Sequence, residues 1–237
     1  MDIDYSEEQF KLDFSIDDLK VLIDHHLQSK EAAWLDFKDA PVISAKEGRK
    51  IRADLPLDIQ SFTHSGGGVI ILGIDQRDPN KPIKGVKDVD NWCNFISKLS
   101  GNLNLPLLFP VVQIDGQKLI FIVVPQPREP IFYEGKIRIR SGTVRRDISS
   151  LKEQEDLKKR LSSQPSGYHT ISIMRNAIRT YRIIKLRDGE ESKSSYLLYR
   201  TANLNKENIN LSLLVFMFAK LEERTREIWK KRTFLVG

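Results

Sequence analysis

The sequence predicts an α+β fold in two parts: a larger domain over residues 1–163 and a small basic α+β extension over 164–237. Three observations predict it. Segments of helical and of strand periodicity are interleaved along the chain. The run Val69-Ile70-Ile71-Leu72-Gly73-Ile74 is apolar throughout, the mark of a central strand covered on both faces. Finally, Ser162–Gly167 (Ser-Ser-Gln-Pro-Ser-Gly) has linker composition and marks the boundary. With 237 residues, 40% of them hydrophobic, the chain is long enough to bury a real core.

The elements follow in order. Residues 1–14 are mixed and acidic and read as a loosely ordered lead-in. Ser15 reads as an N-cap; Asp17 and Asp18 fill the first turn, and Leu19, Leu22, Ile23 and Leu27 recur at helical spacing, predicting a helix over 16–28. Trp34-Leu35-Asp36-Phe37-Lys38 alternates apolar and charged residues, as a strand with one buried face does. Residues 46–64 read as a helix, with Pro56 arguing for a kink or break inside it. Ser65-Gly66-Gly67-Gly68 ends that helix ahead of the apolar strand.

Asp78–Pro82 is a turn, 88–100 a helix, and Asp115-Gly116 turns the chain into a buried strand over 118–124. Ile131–Tyr133 and Lys136–Arg140 flank Glu134-Gly135 as a hairpin. Ser150–Leu161 is a charged helix. The tail reads as strands near 181–186 and 195–200 around Asp188-Gly189, then a helix over roughly 206–231.

Charge is split along the chain. Residues 1–135 carry 15 basic and 21 acidic side chains; residues 136–237 carry 23 basic and 11 acidic. The basic half predicts a surface for a polyanion, nucleic acid first, although a Lys/Arg-rich solvated surface reads equally well from charge alone. No apolar run reaches the ~18 residues of a membrane span. Acidic residues after Met1 argue against a signal peptide. Cys93 is the only cysteine, which excludes an internal disulfide or a two-cysteine zinc site and fits a reducing cytoplasm.

Three acids stand out by position: Glu31 before the 34–38 strand, Asp36 within it, and Asp75 at the end of the buried strand. If they converge, their repulsion calls for a hard divalent cation, Mg²⁺ or Mn²⁺. Taken alone, the ordinary reading prevails: a turn aspartate and two surface charges. The glycines at 66–68 follow a helix and precede a strand, the reverse of a phosphate loop, so they serve helix termination and close packing. Lys136, Arg138 and Arg140 alternate along one strand and share a face; Arg145 and Arg146 follow, five cations within eleven residues. That stripe suits phosphate contact. His64 is singled out because it lies beside the glycines, near Asp75.

These pieces together resemble the Schlafen-type AlbA-like domain. Glu31-Ala-Ala-Trp-Leu-Asp36-Phe-Lys38 is similar to its opening strand, Asp58–Asp75 to its helix, glycine and strand segment, Ile83-Lys84-Gly85-Val86 to the next motif, and Pro130–Tyr133 with Ile137–Thr143 to its closing hairpin. The resemblance spans about residues 30–145. It implies a mostly antiparallel sheet flanked by helices, in a family labelled DNA-binding or ATP-binding in microbes and RNA-cleaving in animals. It further implies that Glu31, Asp36 and Asp75 hold Mg²⁺ or Mn²⁺ for endonuclease action on structured RNA, favoured over DNA, with Lys38 on the scissile phosphate. Lys136, Arg138, Arg140, Arg145 and Arg146 would grip the backbone. The animal core has two lobes, so one lobe here implies a homodimer or a partner protein. Family association suggests a defence effector. Two departures are Asp36 in place of the usual Glu and Thr63-His64 in place of Ala-Asn. The competing expectations are a non-catalytic nucleic-acid-binding module or regulator and, more weakly, an ATP-binding protein. No P-loop sequence is present.

Overall fold

The computed structural model describes residues 6–28, 32–142, 144–164 and 166–186, with side chains up to Tyr181. The described elements are α1 (Glu7–Asp13), α2 (Ile16–Gln28), β1 (Leu35–Lys38), α3 (Lys46–Thr63), β2 (Gly68–Leu72), α4 (Val89–Asn102), β3 (Val111–Ile114), β4 (Gln117–Val124), β5 (Ile137–Ser141), β6 (Val144–Ile148), α5 (Leu151–Ser163) and α6 (His169–Leu186). The fold is α+β. One sheet has four strands in the order β1-β2-β4-β3, and a second is the β5-β6 hairpin.

The order of elements explains the sheet. β1 and β2 are parallel, with Asp36 opposite Ile70 and Lys38 opposite Leu72. A parallel pair needs a crossover, and α3 supplies it. β4 runs antiparallel to both β2 and β3. The β3–β4 turn is Asp115-Gly116, both at positive φ (49° and 75°), the geometry of a two-residue hairpin loop. Only the β1–β2 pair is parallel, so the pairing is mostly antiparallel.

Strand alternation then divides the core. On one face Ile70, Leu72, Ile120, Ile122 and Val124 pack with Leu55, Ile59 and Phe62 of α3 and with Trp92, Ile96 and Leu99 of α4. The other strand positions, Val69, Ile71, Leu119, Phe121 and Val123, are equally buried. Phe10 of α1 reaches Phe121 there, ring centroids 5.8 Å apart. Residues 7–13 are therefore a capped helix, not a loose lead-in: the Ser6 hydroxyl accepts from the Gln9 N–H, and burial of Phe10 and Phe14 ties the helix down.

α3 runs unbroken through Pro56. An interior proline costs about 3 kcal/mol. Burying Leu55, Ile59 and Phe62, at about 1.5–3 kcal/mol each, outweighs it. The helix ends in Gly66 and Gly67 at φ 99° and 87°. Gly68 then lies so close to α3 that a β-carbon would sit 2.1 Å from the Phe62 ring.

The hairpin differs from its expected register. Residues 133 and 136 form only an isolated bridge around Glu134-Gly135, and β5 pairs instead with β6, with Ile137 opposite Ile148. Ile137 and Ile148 pack with Leu157 and Leu161 of α5. The expected linker is strapped to the first domain: Gln126 and Gly167 exchange backbone hydrogen bonds of 2.9 and 3.0 Å. The contacts divide the chain into Met1–Arg175 and Asn176–Gly237, twelve residues beyond the expected boundary. In the second unit the description covers only the end of α6, so residues 181–186 are helix rather than strand. The expected 195–200 strand and 206–231 helix lie outside the described residues. No helix among the described residues is long and apolar enough to cross a membrane.

Candidate functional site

Alternation in β1 puts Asp36 and Lys38 on one face, and the register with Ile70 and Leu72 turns that face toward α3. The helix meets them with Asp58. Lys38 Nζ lies 3.0 Å from Asp36 Oδ2 and 2.8 Å from Asp58 Oδ2. Arg145 of β6 closes the other side: its Nε is 3.3 Å from Asp58 Oδ1 and its Nη2 is 3.4 Å from Asp54 Oδ1, one helical turn earlier. Burial by itself would lower the Lys38 pKa, but the charges of Asp36 and Asp58 outweigh it and hold the ammonium protonated. Burial pushes the Asp58 carboxyl up, against the pull of Lys38 and Arg145.

The site is thus an ion-pair chain, Asp36–Lys38–Asp58–Arg145–Asp54. Asp58 and Asp54 are the members that sequence reasoning missed as site residues. Their signal was a like-charge i,i+4 pair on α3, two residues to either side of Pro56 in an otherwise apolar stretch.

Asp75 is paired separately. It follows β2 just after Gly73 and Ile74, whose N–H groups both donate to Lys38 O, at 2.8 and 3.1 Å. Its carboxylate accepts from Arg77 Nε at 2.7 Å and Nη2 at 3.2 Å. These bonds hold its pKa below the usual carboxylate range. Arg77 is also 4.0 Å from Asp39. Among the described residues Asp36 pairs with Lys38 and Asp75 with Arg77, and Glu31 lies outside the described residues. Among the described residues no group of three or more His, Cys, Asp or Glu is placed to hold a metal ion.

The hairpin cations fall into two sets. Arg138 and Arg140 do share a face, but α3 covers it and both are buried. Arg138 Nη1 donates to Gln60 Oε1 (3.0 Å) and Tyr133 O (3.2 Å), and its Nε is 3.3 Å from Asp147 Oδ1. Arg140 stacks on Phe62, its guanidinium carbon 4.4 Å from the ring centroid. Lys136 and Arg146 face solvent, in ion pairs with Asp147 (3.0 Å) and Glu153 (2.8 Å). Arg145 belongs to the ion-pair chain.

His64 sits under the hairpin, not beside Asp75. Its Nε2 accepts from the Ile131 N–H at 2.8 Å, so Nδ1 carries the proton and donates to Arg138 O at 2.6 Å. Burial lowers its pKa to about 4, with the Arg138 carbonyl opposing and Arg160 assisting. Gln60, one turn earlier, donates to Ile131 O and Lys136 O at 2.8 and 2.6 Å. Gln60 and His64 together clamp the strand-to-hairpin segment onto α3.

No protein-family model matches the chain, and no curated protein matches it. Among solved structures, the DIP2311 protein from Corynebacterium diphtheriae is similar at 21% identity and TM-score 0.42. The match covers 56% of this chain and 30% of that one, so this chain spans less than a third of its length.

Proposed function

We propose that this chain is a nucleic-acid-binding module that holds the phosphate backbone through its basic hairpin and the helix after it. The observation that carries the reading is charge at the surface. Residues 136–175 hold ten basic and four acidic side chains; at the surface, Lys136, Arg146, Lys152, Lys158, Lys159 and Arg160 are exposed, against Asp147, Glu155 and Asp156. The Lys136–Asp147 and Arg146–Glu153 pairs are solvent-facing; such pairs stabilise by about 0–1 kcal/mol. A phosphate can replace either carboxylate at small cost, and each phosphate neutralised releases counterions. The resemblance to the Schlafen-type AlbA-like domain supports the same reading and favours RNA over DNA.

Metal-dependent cleavage is the second reading. One observation favours it: Asp36 and Lys38, the carboxylate and the lysine that the resemblance assigns to the reaction, are in contact on one strand face. Among the described residues, however, the carboxylates at this site are engaged. Asp36 and Asp58 are already neutralised by Lys38 and Arg145, whereas a hard cation needs open oxygen ligands. We derive no cleavage step from it.

Fluorescence anisotropy with a labelled RNA hairpin, read between about 50 and 200 mM salt, tests the first reading. Binding should weaken steeply as salt rises and should weaken again in the Lys136→Ala/Arg146→Ala double variant. Asp36→Ala should bind as the wild type does. No binding, or binding indifferent to both salt and the double variant, would overturn the proposal. Adding Mn²⁺ to the same RNA tests the second reading: strand scission that Asp36→Ala abolishes would establish the nuclease.

A further inference from the structure

The segment between β4 and β5 holds an exposed aromatic on an anchored backbone. Phe132 is 60% exposed and is the one aromatic among the exposed large hydrophobics of the described residues; the others, such as Leu12 and Leu151, are aliphatic. An exposed apolar side chain is ordinary on a mobile loop. Here the backbone on either side is tied to buried groups. The Ile131 N–H donates to His64 Nε2, and Ile131 O accepts from Gln60 Nε2, each at 2.8 Å. Tyr133 O accepts from Arg138 Nη1 at 3.2 Å.

The next two residues form a tight turn. Glu134 and Gly135 have φ of 52° and 71°, and Tyr133 and Lys136 exchange backbone hydrogen bonds of 3.1 Å each. Four neighbouring peptide groups are thus fixed by His64, Gln60, Arg138 and the turn itself. The ring is displayed where the chain has already given up its conformational freedom, so a ligand meets little further ordering cost. Lys136, its side chain 58% exposed, follows directly after the turn.

We propose that Phe132 is a stacking platform for an unpaired base of a single-stranded nucleic acid segment, with Lys136 holding a neighbouring phosphate. The inference rests on the nucleic-acid-binding reading and names its substrate class: an unpaired strand or loop, not a duplex. Three considerations select this occupant. An aromatic face suits any base and needs no hydrogen-bond code. Bases inside a duplex offer no free face. The exposed cation Lys136 directly after the turn, with Arg146 exposed on the paired strand β6, suits a polyanion better than an apolar protein partner.

The test uses a fluorescein-labelled single-stranded RNA of about 12 nucleotides, a second copy carrying 2-aminopurine, and the matching duplex. Wild type, F132A, F132L and F132Y are compared after circular dichroism establishes equal folding. The wild type should prefer the single strand and quench the 2-aminopurine. F132A and F132L should bind about five- to 150-fold more weakly and lose the quenching, and F132Y should retain both. Three outcomes overturn the inference while leaving nucleic-acid binding intact: F132A binding like the wild type, F132L restoring full affinity, or preferred binding of the duplex. Concentration-dependent self-association that F132A abolishes, without a change in RNA affinity, would assign the ring to a protein contact and overturn it too. If the wild type binds neither strand, the underlying reading fails and takes the inference with it.

Discussion

Two of the described strands, β1 and β5, pair charged residues at alternate positions on a face that turns toward α3. In β1 the helix meets Asp36 and Lys38 with an opposite charge, Asp58, and the result is an ion-pair chain that continues through Arg145 to Asp54. In β5 the helix meets Arg138 and Arg140 with an amide, Gln60, and a ring, Phe62. The same pattern therefore serves two ends. Where the partner is an aspartate, charges neutralise one another at the domain's interior. Where the helix supplies neutral partners, Arg138 and Arg140 fasten the backbone carbonyls of Tyr133 and Gly142, with Arg138 also paired to Asp147, while Lys136 and Arg146 stand in solvent-facing pairs.

The sharpest way to break this comparison is to remove the partner in the first region. Asp58→Ala leaves Lys38 and Arg145 short of a buried counter-charge and should cost about 3–5 kcal/mol, read as a lower midpoint in urea. A loss below about 1 kcal/mol would mean that the cluster behaves like an exposed pair.

The second region titrates differently. His64 must stay neutral to accept the Ile131 N–H. Its pKa is lowered from 6.5 in the unfolded chain to about 4 when folded. The unfolded state therefore binds more protons between those values, and stability falls as pH drops from 6.5 toward 4, by about 3 kcal/mol at most for this one group. His26, lowered to about 3 by burial, acts in the same direction. A His64→Gln variant should flatten the pH dependence of the urea midpoint; an unchanged slope would assign the effect to His26 and the carboxylates.

The smallest effect should come from the surface of the same hairpin. Arg146→Ala loses only an exposed pair and should change stability by less than about 1 kcal/mol in a thermal melt. A larger loss would place Arg146 with the fasteners and erase the distinction between buried and exposed hairpin cations.

Much of the fold was legible because its signals are local. The 16–28 periodicity, the apolar run at 69–74 and the Asp-Gly turn at 115–116 each became the expected element. The misses have a common cause. The helix at 7–13 depends on Phe10 reaching Phe121, more than a hundred residues away. The absence of a break at Pro56 depends on what α3 buries. β3 and β6 are short and carry polar residues, so pairing rather than pattern defines them.

For the site, the sequence alone determined which residues share a face. A strand repeats every two residues, so Asp36 with Lys38, and Arg138 with Arg140, had to point the same way. It also determined that basic charge is concentrated over residues 136–237. Only the tertiary structure decided what lies opposite each face. That depends on α3 crossing over β1 and packing on the hairpin, which brings Asp58 within 2.8 Å of Lys38 and Gln60 within 3.0 Å of Arg138. Electrostatic roles belong to pairs of groups, and the pairs here form between elements that the sequence keeps apart.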